Sequence, residues 1–273
     1  MLSRAADEPL RSAWSRLLVG FAALWPAVAA SAAFGQCFPV AERPPEALPA
    51  AYQPGAVPAG SVRLTFIGHS SFLIETPAGA SAVTDYNGWL GGAEPPDIVT
   101  MNNAHSTHYT DDPDPKIEHV LRGWDPGGGI ALHDLTYLDL HVRNVPTNVR
   151  ETGGARINGN SIFVFETAGL CIAHLGHLHH LLTDVHLAEL GQIDVLLAPV
   201  DGSFTMAQAL MVEVIQQIHP ALVIPMHYFS PYTLGSFLEL VRGSYEVVVS
   251  ETPTVTLARA TLPYRQVLVL PGN

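Results

Sequence analysis

Residues 98–108 read IVTMNNAHSTH, an apolar run typical of a β-strand that ends in two histidines, His105 and His108. Histidines three residues apart lie on one side of a helical or turn backbone. Neutral imidazole is a common protein ligand for zinc, and it also suits iron and copper. A chain with 13 histidines places some such pairs by chance, so this pair alone does not establish a metal site.

Two further histidine groups also follow apolar, strand-like runs. Residues 174–180 read HLGHLHH, and His227 comes directly after the run at residues 223–226. Strands that each end in histidine would present those side chains at one edge of a sheet, where α/β proteins usually build their sites. The three groups together favour a metal site at such an edge.

The N-terminal region is typical of a secretory signal peptide. Three arginines precede an uncharged run at residues 17–35 that ends in small residues. This pattern predicts a signal peptide over residues 1–36, cleaved after Ala32 or Gly35, and therefore a periplasmic or secreted protein. A retained N-terminal membrane anchor is the alternative, because the run approaches spanning length.

Residues 37–61 are rich in proline and alanine and are expected to form an extended linker. Residues 62–273 then have the length of one α/β domain. The chain has two cysteines, Cys37 and Cys171. In an exported protein they can pair, and a buried free thiol at Cys171 is the alternative.

The formal net charge is −12, and Lys116 is the single lysine. Such a surface repels nucleic acid and anionic membranes, so neither is expected as a partner apart from the possible N-terminal anchor. The expected partner is a small-molecule substrate. The sequence leaves the oligomeric state open.

Strand patterns dominate the first half of the domain. Alternating apolar residues at 62–66, followed by short runs at 72–74 and 81–84, predict an antiparallel β opening. Residues 162–165 and 170–173 flank a turn and predict a hairpin.

Helices and buried strands alternate later in the chain. One helix is predicted from Thr183 to Gly191. A second is predicted after a capping-box spacing of Thr205 and Gln208, and it should end at His219. The continuous apolar runs at 193–198 and 221–224 are typical of strands that are covered on both faces.

Several motifs, in this order and spacing, resemble the metallo-β-lactamase superfamily, and most nearly its branch that contains the ascorbate-6-phosphate lactonase. They are residues 67–75 (IGHSSFLIE), Asp85, residues 105–108 (HSTH), residues 160–161 (NS), residues 174–176 (HLG) and residues 223–228 (VIPMHY). The resemblance covers roughly residues 62–230. It implies an α/β fold of the αββα sandwich type, with a metal site at the sheet edges between the two layers.

The sequence departs from the metal-binding pattern of that family. Where the family has His-x-His-x-Asp-His, this chain has Asn103, His105, Thr107 and His108. A further family histidine falls on Asn148. The family's bridging aspartate falls on His177, whereas its final histidine is kept as His227.

Both carboxylate ligands of a two-metal site are therefore replaced. A two-metal site needs anionic ligands to offset the repulsion between the ions. We therefore expect one divalent ion, zinc first, with iron, manganese or copper as alternatives. Its expected ligands are His108, His177 and His227, with His105 as a fourth ligand or a hydrogen-bonding neighbour.

Other residues complete the predicted site. Asp85 is expected to orient a ligand histidine or a bound water. His179 is a candidate general acid, although exposed histidines at a helix start are common; with His105 and Asp85 it makes up the catalytic set. The substrate pocket is expected to include His69, Asn103 and Asn148. For His69 the alternative is a role in capping its own turn.

These features predict an exported, metal-dependent hydrolase that cleaves an ester, lactone, amide or phosphoester by attack of a metal-bound hydroxide. Substrate class rests on the family resemblance. The alternative is a non-hydrolytic metal-binding or redox protein on the same scaffold, because loss of the bridging aspartate can remove hydrolysis.

Overall fold

The structure is a computed structural model that describes Cys37, residues 55–151 and residues 153–272. The predicted signal peptide and most of the predicted linker lie outside these residues. The strands are β1 (Ser61–Gly68), β2 (Ser71–Glu75), β3 (Ser81–Val83), β4 (Ile98–Met101), β5 (His119–Arg122), β6 (Asp134–Tyr137), β7 (Leu140–Glu151), β8 (Gly154–Thr167), β9 (Leu170–His174), β10 (Val195–Pro199), β11 (Leu222–Met226), β12 (Glu246–Val249), β13 (Thr254–Ala258) and β14 (Gln266–Val269). The helices are α1 (Asp184–Leu190), α2 (Gln208–Ile218) and α3 (Pro231–Val241), with a short 3₁₀ turn at Arg259–Thr261.

The strands form two sheets. The first sheet has six strands in the order β13-β1-β2-β3-β4-β5, and the second has eight in the order β12-β14-β11-β10-β9-β8-β7-β6. In the second sheet β9, β10 and β11 run parallel to one another. Their carboxyl ends therefore lie at one edge, and the loops that follow them can meet there.

A shared apolar core lies between the two sheets. Leu64 and Phe72 of the first sheet are fully buried in one cluster with Phe163, Ile172 and Ile224 of the second. Residues alternate along β9, β10 and β11, so their other side chains point to the opposite face of the second sheet. This two-sheet arrangement confirms the predicted sandwich fold.

The outer faces of the two sheets are covered differently in the described part of the chain. On the second sheet, Leu196 and Val223 pack with Met211 of α2 and Phe237 of α3. On the first sheet, Val83 of β3 and Val99 and Met101 of β4 pack with residues of the connecting segments, among them Tyr86. The helical layer described here therefore lies against the second sheet.

Most predicted elements are confirmed. β1, β2 and β3 are antiparallel, β8 and β9 form the hairpin, and α1 has Thr183 and Gly191 as its caps. The predicted start of α2 is wrong: Ala207 is the N-cap and makes no side-chain bond. Thr205 instead donates its backbone N–H to the Asp201 carboxylate, which organises a turn of its own.

Cys37 and Cys171 form a disulfide, with their Cα atoms 5.7 Å apart. The alternative of a buried free thiol at Cys171 is wrong. Cys37 also accepts a hydrogen bond from the Gln192 backbone N–H, at 2.6 Å. The start of the predicted linker is thus attached to β9. Across the described residues, each helix is too short or too polar to cross a bilayer.

Candidate metal centre

Four histidines converge where strands of both sheets end. His105 and His108 lie in the loop after β4, His177 lies in the loop after β9, and His227 directly follows β11. One ring nitrogen from each lies within 4.8 Å of the others. These are the four residues that the sequence predicted as metal ligands, and the fold brings them together.

His108 is fixed by a buried carboxylate. Its Nδ1 lies 2.6 Å from Oδ2 of Asp85, and the side-chain amide of Asn102 donates to Asp85 Oδ1 at 3.0 Å. Burial alone would raise the pKa of Asp85, but its interactions with His108 and His174 and these hydrogen bonds hold the pKa below its usual range. An ionised carboxylate only accepts, so the Nδ1 of His108 carries a proton, and Nε2 is the nitrogen that can face an ion. Asp85 therefore orients a histidine, which is one of the two roles predicted for it.

His227 has a similar carboxylate neighbour. Its Nδ1 lies 3.2 Å from Oδ1 of Asp201. The carboxylate of Asp201 also accepts the backbone N–H groups of Ser203 and Phe204. Burial would raise the pKa of Asp201, but His227, Thr205 and these N–H groups hold the pKa below its usual range.

Asp201 was missed in the sequence, although a signal for it exists. β10 and β11 are parallel and pair Pro199 with Met226, so the residues just after the two strands lie side by side. Asp201 therefore comes close to His227. A carboxylate directly after a buried strand, next to a strand that ends in histidine, is the pattern that would have found it.

The two Nε2 atoms of His108 and His227 lie only 3.1 Å apart. The two atoms either share one proton in a hydrogen bond or, where both rings carry their protons on Nδ1 beside the carboxylates, present lone pairs to each other and conflict. A cation between or beside them removes that conflict. The pair therefore fits a metal ion, with each ring oriented from behind by a carboxylate.

His177 strengthens the fit to a metal. Its side chain is buried, and neither ring nitrogen has a hydrogen-bond partner among the described residues. Burial, followed by the nearby His108 and His227, lowers the pKa of His177 to about 3, so the ring is neutral. Buried polar atoms without a partner are rare and costly, and coordination of an ion would satisfy one of them.

The backbone at His177 is closely packed. The preceding Gly176 has φ +60°, and a Cβ there would lie 2.4 Å from the amide nitrogen of Asn102 and 2.5 Å from Oδ1 of Asn160. The same Asn160 oxygen accepts the His177 backbone N–H at 2.7 Å. Glycine before His177 is what allows this close approach.

His105 and His69 share a hydroxyl. Thr107 Oγ1 lies 2.8 Å from His105 Nδ1 and 3.0 Å from His69 Nε2. The His69 ring packs on His227, with ring centroids 4.2 Å apart. Burial and the neighbouring histidines lower the pKa of His69 to about 3 and that of His105 to about 4. His69 is thus beside the metal centre, where the sequence placed it as a pocket residue.

Three other predicted residues are placed differently. Asn103 lines a separate cavity beside Trp124. Asn148 uses its side-chain oxygen to accept the Asn158 N–H, at 3.1 Å. His179 Nδ1 lies 3.0 Å from the Asn148 carbonyl oxygen, so its ring is engaged with the backbone of β7. The structure does not bring His179 into the four-histidine cluster, and its role as a general acid gains no support.

An open cavity of about 650 Å³ gives access to the centre. His105 and His177 line its inner part. Its other lining residues are Ala104, Arg150, Glu151, Ser203 and Phe204. This lining could not be predicted from the sequence, because the residues come from separate segments that only the fold brings together.

Comparison with known proteins agrees with the fold and the site. A family model described as a beta-lactamase superfamily domain matches residues 63–227, more than half of the chain. The chain therefore belongs to this superfamily, and its two-sheet architecture is that of the metallo-β-lactamase fold.

Similar proteins carry related names. A protein named UPF0173 metal-dependent hydrolase from Salinibacter ruber is 26% identical over 220 residues, which cover 67% of this chain and 92% of that protein. One of the same name from Opitutus terrae is 29% identical over 197 residues, covering 62% and 86% respectively.

A solved structure from Thermotoga maritima, named as a Zn-dependent hydrolase of the metallo-beta-lactamase superfamily, is 27% identical with a TM-score of 0.56. The match covers 77% of this chain and 100% of that one. The solved structure of a metallo hydrolase from Ignicoccus hospitalis shares the fold, with 20% identity and a TM-score of 0.52. The match covers 72% of this chain and 98% of that one.

Proposed function

We propose that this member of the metallo-β-lactamase superfamily is an exported hydrolase with one divalent metal ion held by His105, His108, His177 and His227. Zinc is the first choice, with iron, manganese or copper as alternatives. The substrate is a small molecule with an ester, lactone, amide or phosphoester bond. The names of the similar proteins from Salinibacter ruber and Thermotoga maritima support hydrolysis and metal dependence. The resemblance to the ascorbate-6-phosphate lactonase branch favours a lactone or another ester among these.

The observation that carries the proposal is the 3.1 Å approach of the Nε2 atoms of His108 and His227. A carboxylate lies behind each ring, and the nearby His177 has two ring nitrogens without partners. Ring nitrogens this close together, next to the unpartnered nitrogens of His177, are suited to bind one cation. When bound, a divalent ion acts as a Lewis acid and lowers the pKa of a water at an open position.

One ion is favoured over two by the charges of the cluster. Asp85 and Asp201 lie behind the histidines and face their Nδ1 atoms. In the described residues, the group that converges on one point consists of four imidazoles without a carboxylate. Two dications a few ångströms apart would lack the anionic ligands that offset their repulsion.

The protein's own residues orient the site and give access to it. Asp85 and Asp201 hold His108 and His227, Thr107 ties His105 to His69, and the cavity of about 650 Å³ admits a small molecule. The ring of Phe229 packs edge to face beside His227, with ring centroids 5.3 Å apart. These contacts position ligands and exclude part of the solvent.

The test is hydrolysis by zinc-loaded protein of a panel that contains one ester, one lactone, one amide and one phosphoester. We expect turnover of at least one class. It should be lost after chelation, restored by zinc and absent in His177→Ala. Turnover that persists unchanged in chelated protein and in His177→Ala, or no turnover of any class, would overturn the proposal.

A second function is favoured by one observation. All four histidines can reach a single point, and four protein ligands close a tetrahedral site unless it expands. A closed site fits a non-hydrolytic metal-binding or redox protein. A coloured protein that contains iron or copper and lacks turnover would favour this function, whereas a colourless zinc protein with turnover excludes it.

Export is supported by the disulfide. Cys37 lies just past the predicted cleavage points and pairs with Cys171, and disulfides persist in oxidising compartments such as the periplasm. N-terminal sequencing of protein from the native host should find a start near Ala33 or Gln36. A mature chain that begins at Met1 would contradict export by cleavage.

A further inference from the structure

The rim of the metal cavity carries a cation whose role is not explained by the metal. Arg150 lies near the end of β7 and lines the same cavity as His105 and His177. The chain has 13 lysines and arginines against 25 acidic residues. An arginine at the entrance to the site is therefore not a consequence of an excess of basic residues.

The guanidinium of Arg150 is held in place by a hydrogen bond from one of its nitrogens. Its NH1 group donates to the Ser203 carbonyl oxygen at 2.9 Å. The opposite edge, made of Nε and NH2, has no hydrogen bond to the described residues. That edge is a planar fork of two parallel N–H donors, which matches the two oxygens of a carboxylate.

The acidic neighbour on the rim already has a partner. Glu151 forms an ion pair with Arg156, so it does not neutralise Arg150 directly. No carboxylate of the described residues lies within ion-pair distance of Arg150, whose side chain is exposed. Because Glu151 and Arg156 balance each other, Arg150 supplies one uncompensated positive charge to the rim. A substrate with a single negative charge fits this rim better than a phosphate monoester.

An exposed aromatic surface lies at the same cavity as Arg150. Phe204 follows Ser203, lines the cavity and meets Phe229 edge to face with ring centroids 5.4 Å apart. The Phe229 ring is in turn 5.3 Å from His227. Both phenylalanines are more than half exposed. Exposed apolar rings that lead from a metal centre to a fixed cation are suited to an apolar chain with a charged end.

We propose that Arg150 determines specificity by binding a carboxylate that the substrate carries at a distance from its scissile bond, with the apolar segment between them lying on Phe204. This inference rests on the proposed function. It identifies the substrate as a monoanionic ester, lactone or amide, such as a monoester of a dicarboxylic acid.

The experiment compares paired hydroxamates, because a hydroxamate anchors one end of a probe on a metal ion. Succinic, glutaric and adipic monohydroxamates end in a carboxylate, and alkyl hydroxamates of the same lengths end in a methyl group. Dissociation constants are measured by calorimetry on zinc-loaded protein. At the best length, the acid should bind about 5- to 10-fold more tightly than its neutral match, a moderate factor because Arg150 is exposed.

Variants assign the preference to one side chain. Arg150→Met should bring the ratio of the two constants to about 1 while leaving the neutral probe nearly unchanged, and Arg150→Lys should keep part of the preference. Arg242→Met is the matched control, because Arg242 is an exposed arginine next to α3 that pairs with Glu239 at 3.0 Å. It should keep the full preference.

The outcomes separate this inference from the function on which it rests. Equal binding of acid and neutral probes at every length, or a preference that survives in Arg150→Met, overturns the role of Arg150 while the metal site stands. A protein that binds neither zinc nor any hydroxamate overturns the proposed function, and the role of Arg150 with it.

Discussion

The four histidines of the centre are held in two different ways. His108 and His227, the buried pair, are completely buried and each has a carboxylate behind its Nδ1. His105 and His177, the cavity pair, line the open cavity. A hydroxyl holds His105, whereas the His177 ring has no hydrogen-bond partner in the part of the chain that the structure describes. From this difference we infer two roles: the buried pair fixes an ion, and the cavity pair faces the substrate.

Removing the metal should produce the largest effect on both pairs. With the ion at about 1,000 times its Kd, chelation should lower the free energy of unfolding by about 4 kcal/mol. Denaturant titrations of loaded and chelated protein measure this difference. His227→Ala should unfold alike with and without chelator, because one of the two carboxylate-backed ligands is missing. A chelator effect in His227→Ala as large as in the parent would contradict the buried pair as ligands.

The carboxylate behind His108 should matter more than the hydroxyl beside His105. Asp85→Asn should weaken zinc binding by about 10- to 100-fold, because such partners orient the ligand ring and raise its basicity. Thr107→Val should weaken it by less than about fivefold, since a neutral hydrogen bond contributes about 1 kcal/mol. Competition with a fluorescent zinc chelator measures both. Similar losses of zinc affinity in the two variants would contradict the distinction between the buried pair and the cavity pair.

The change His177→Asp tests the role of the cavity pair. It supplies one carboxylate while leaving Asn103, Thr107 and Asn148 in place, so the variant should still bind a single ion. An anionic ligand reduces the effective charge of the ion. The rising limb of the pH–rate profile should therefore move up by on the order of one pH unit. An unchanged profile would indicate that His177 does not contact the ion.

A smaller effect of pH is expected in the metal-free protein. Burial and neighbouring histidines lower the pKa of His177 to about 3 and that of His105 to about 4, from an ordinary value of 6.5. Between these values and 6.5 the unfolded chain binds more protons, so stability decreases as the pH falls through that window. Well above pH 6.5 both residues are neutral in the folded and the unfolded chain, so they add nothing to the pH dependence of stability. Thermal melting across this range, compared with His177→Gln and His105→Gln, checks the sign.

The sequence predicted the site better than its surroundings. The convergence of four histidines, His105, His108, His177 and His227, was predicted because each follows an apolar strand and the motifs occur in the order of the family that the chain resembles. Asp85 was found for the same reason. These are local signals that depend little on how distant segments pack.

What the sequence did not reveal depends on contacts between distant segments. Asp201 meets His227 only through the parallel register of β10 and β11. Arg150 and Phe204 meet only at the cavity. His179 was predicted as a general acid from its position near a histidine cluster, and its bond to the Asn148 carbonyl oxygen depends on how β7 approaches the loop.

The start of α2 shows that prediction from the sequence can also fail for residues close together in the chain. The spacing of Thr205 and Gln208 fits a capping box, yet the Asp201 carboxylate binds the backbone N–H of Thr205 first. A local propensity was thus overridden by a buried charge that also serves the metal centre.

The most direct test of the central claim is the metal content of purified protein together with X-ray absorption at the metal edge. The account predicts one ion per chain, with imidazole nitrogens as its main neighbours and no second metal nearby. Two tightly bound ions per chain, or a metal–metal distance in the absorption spectrum, would contradict a single ion held by four histidines.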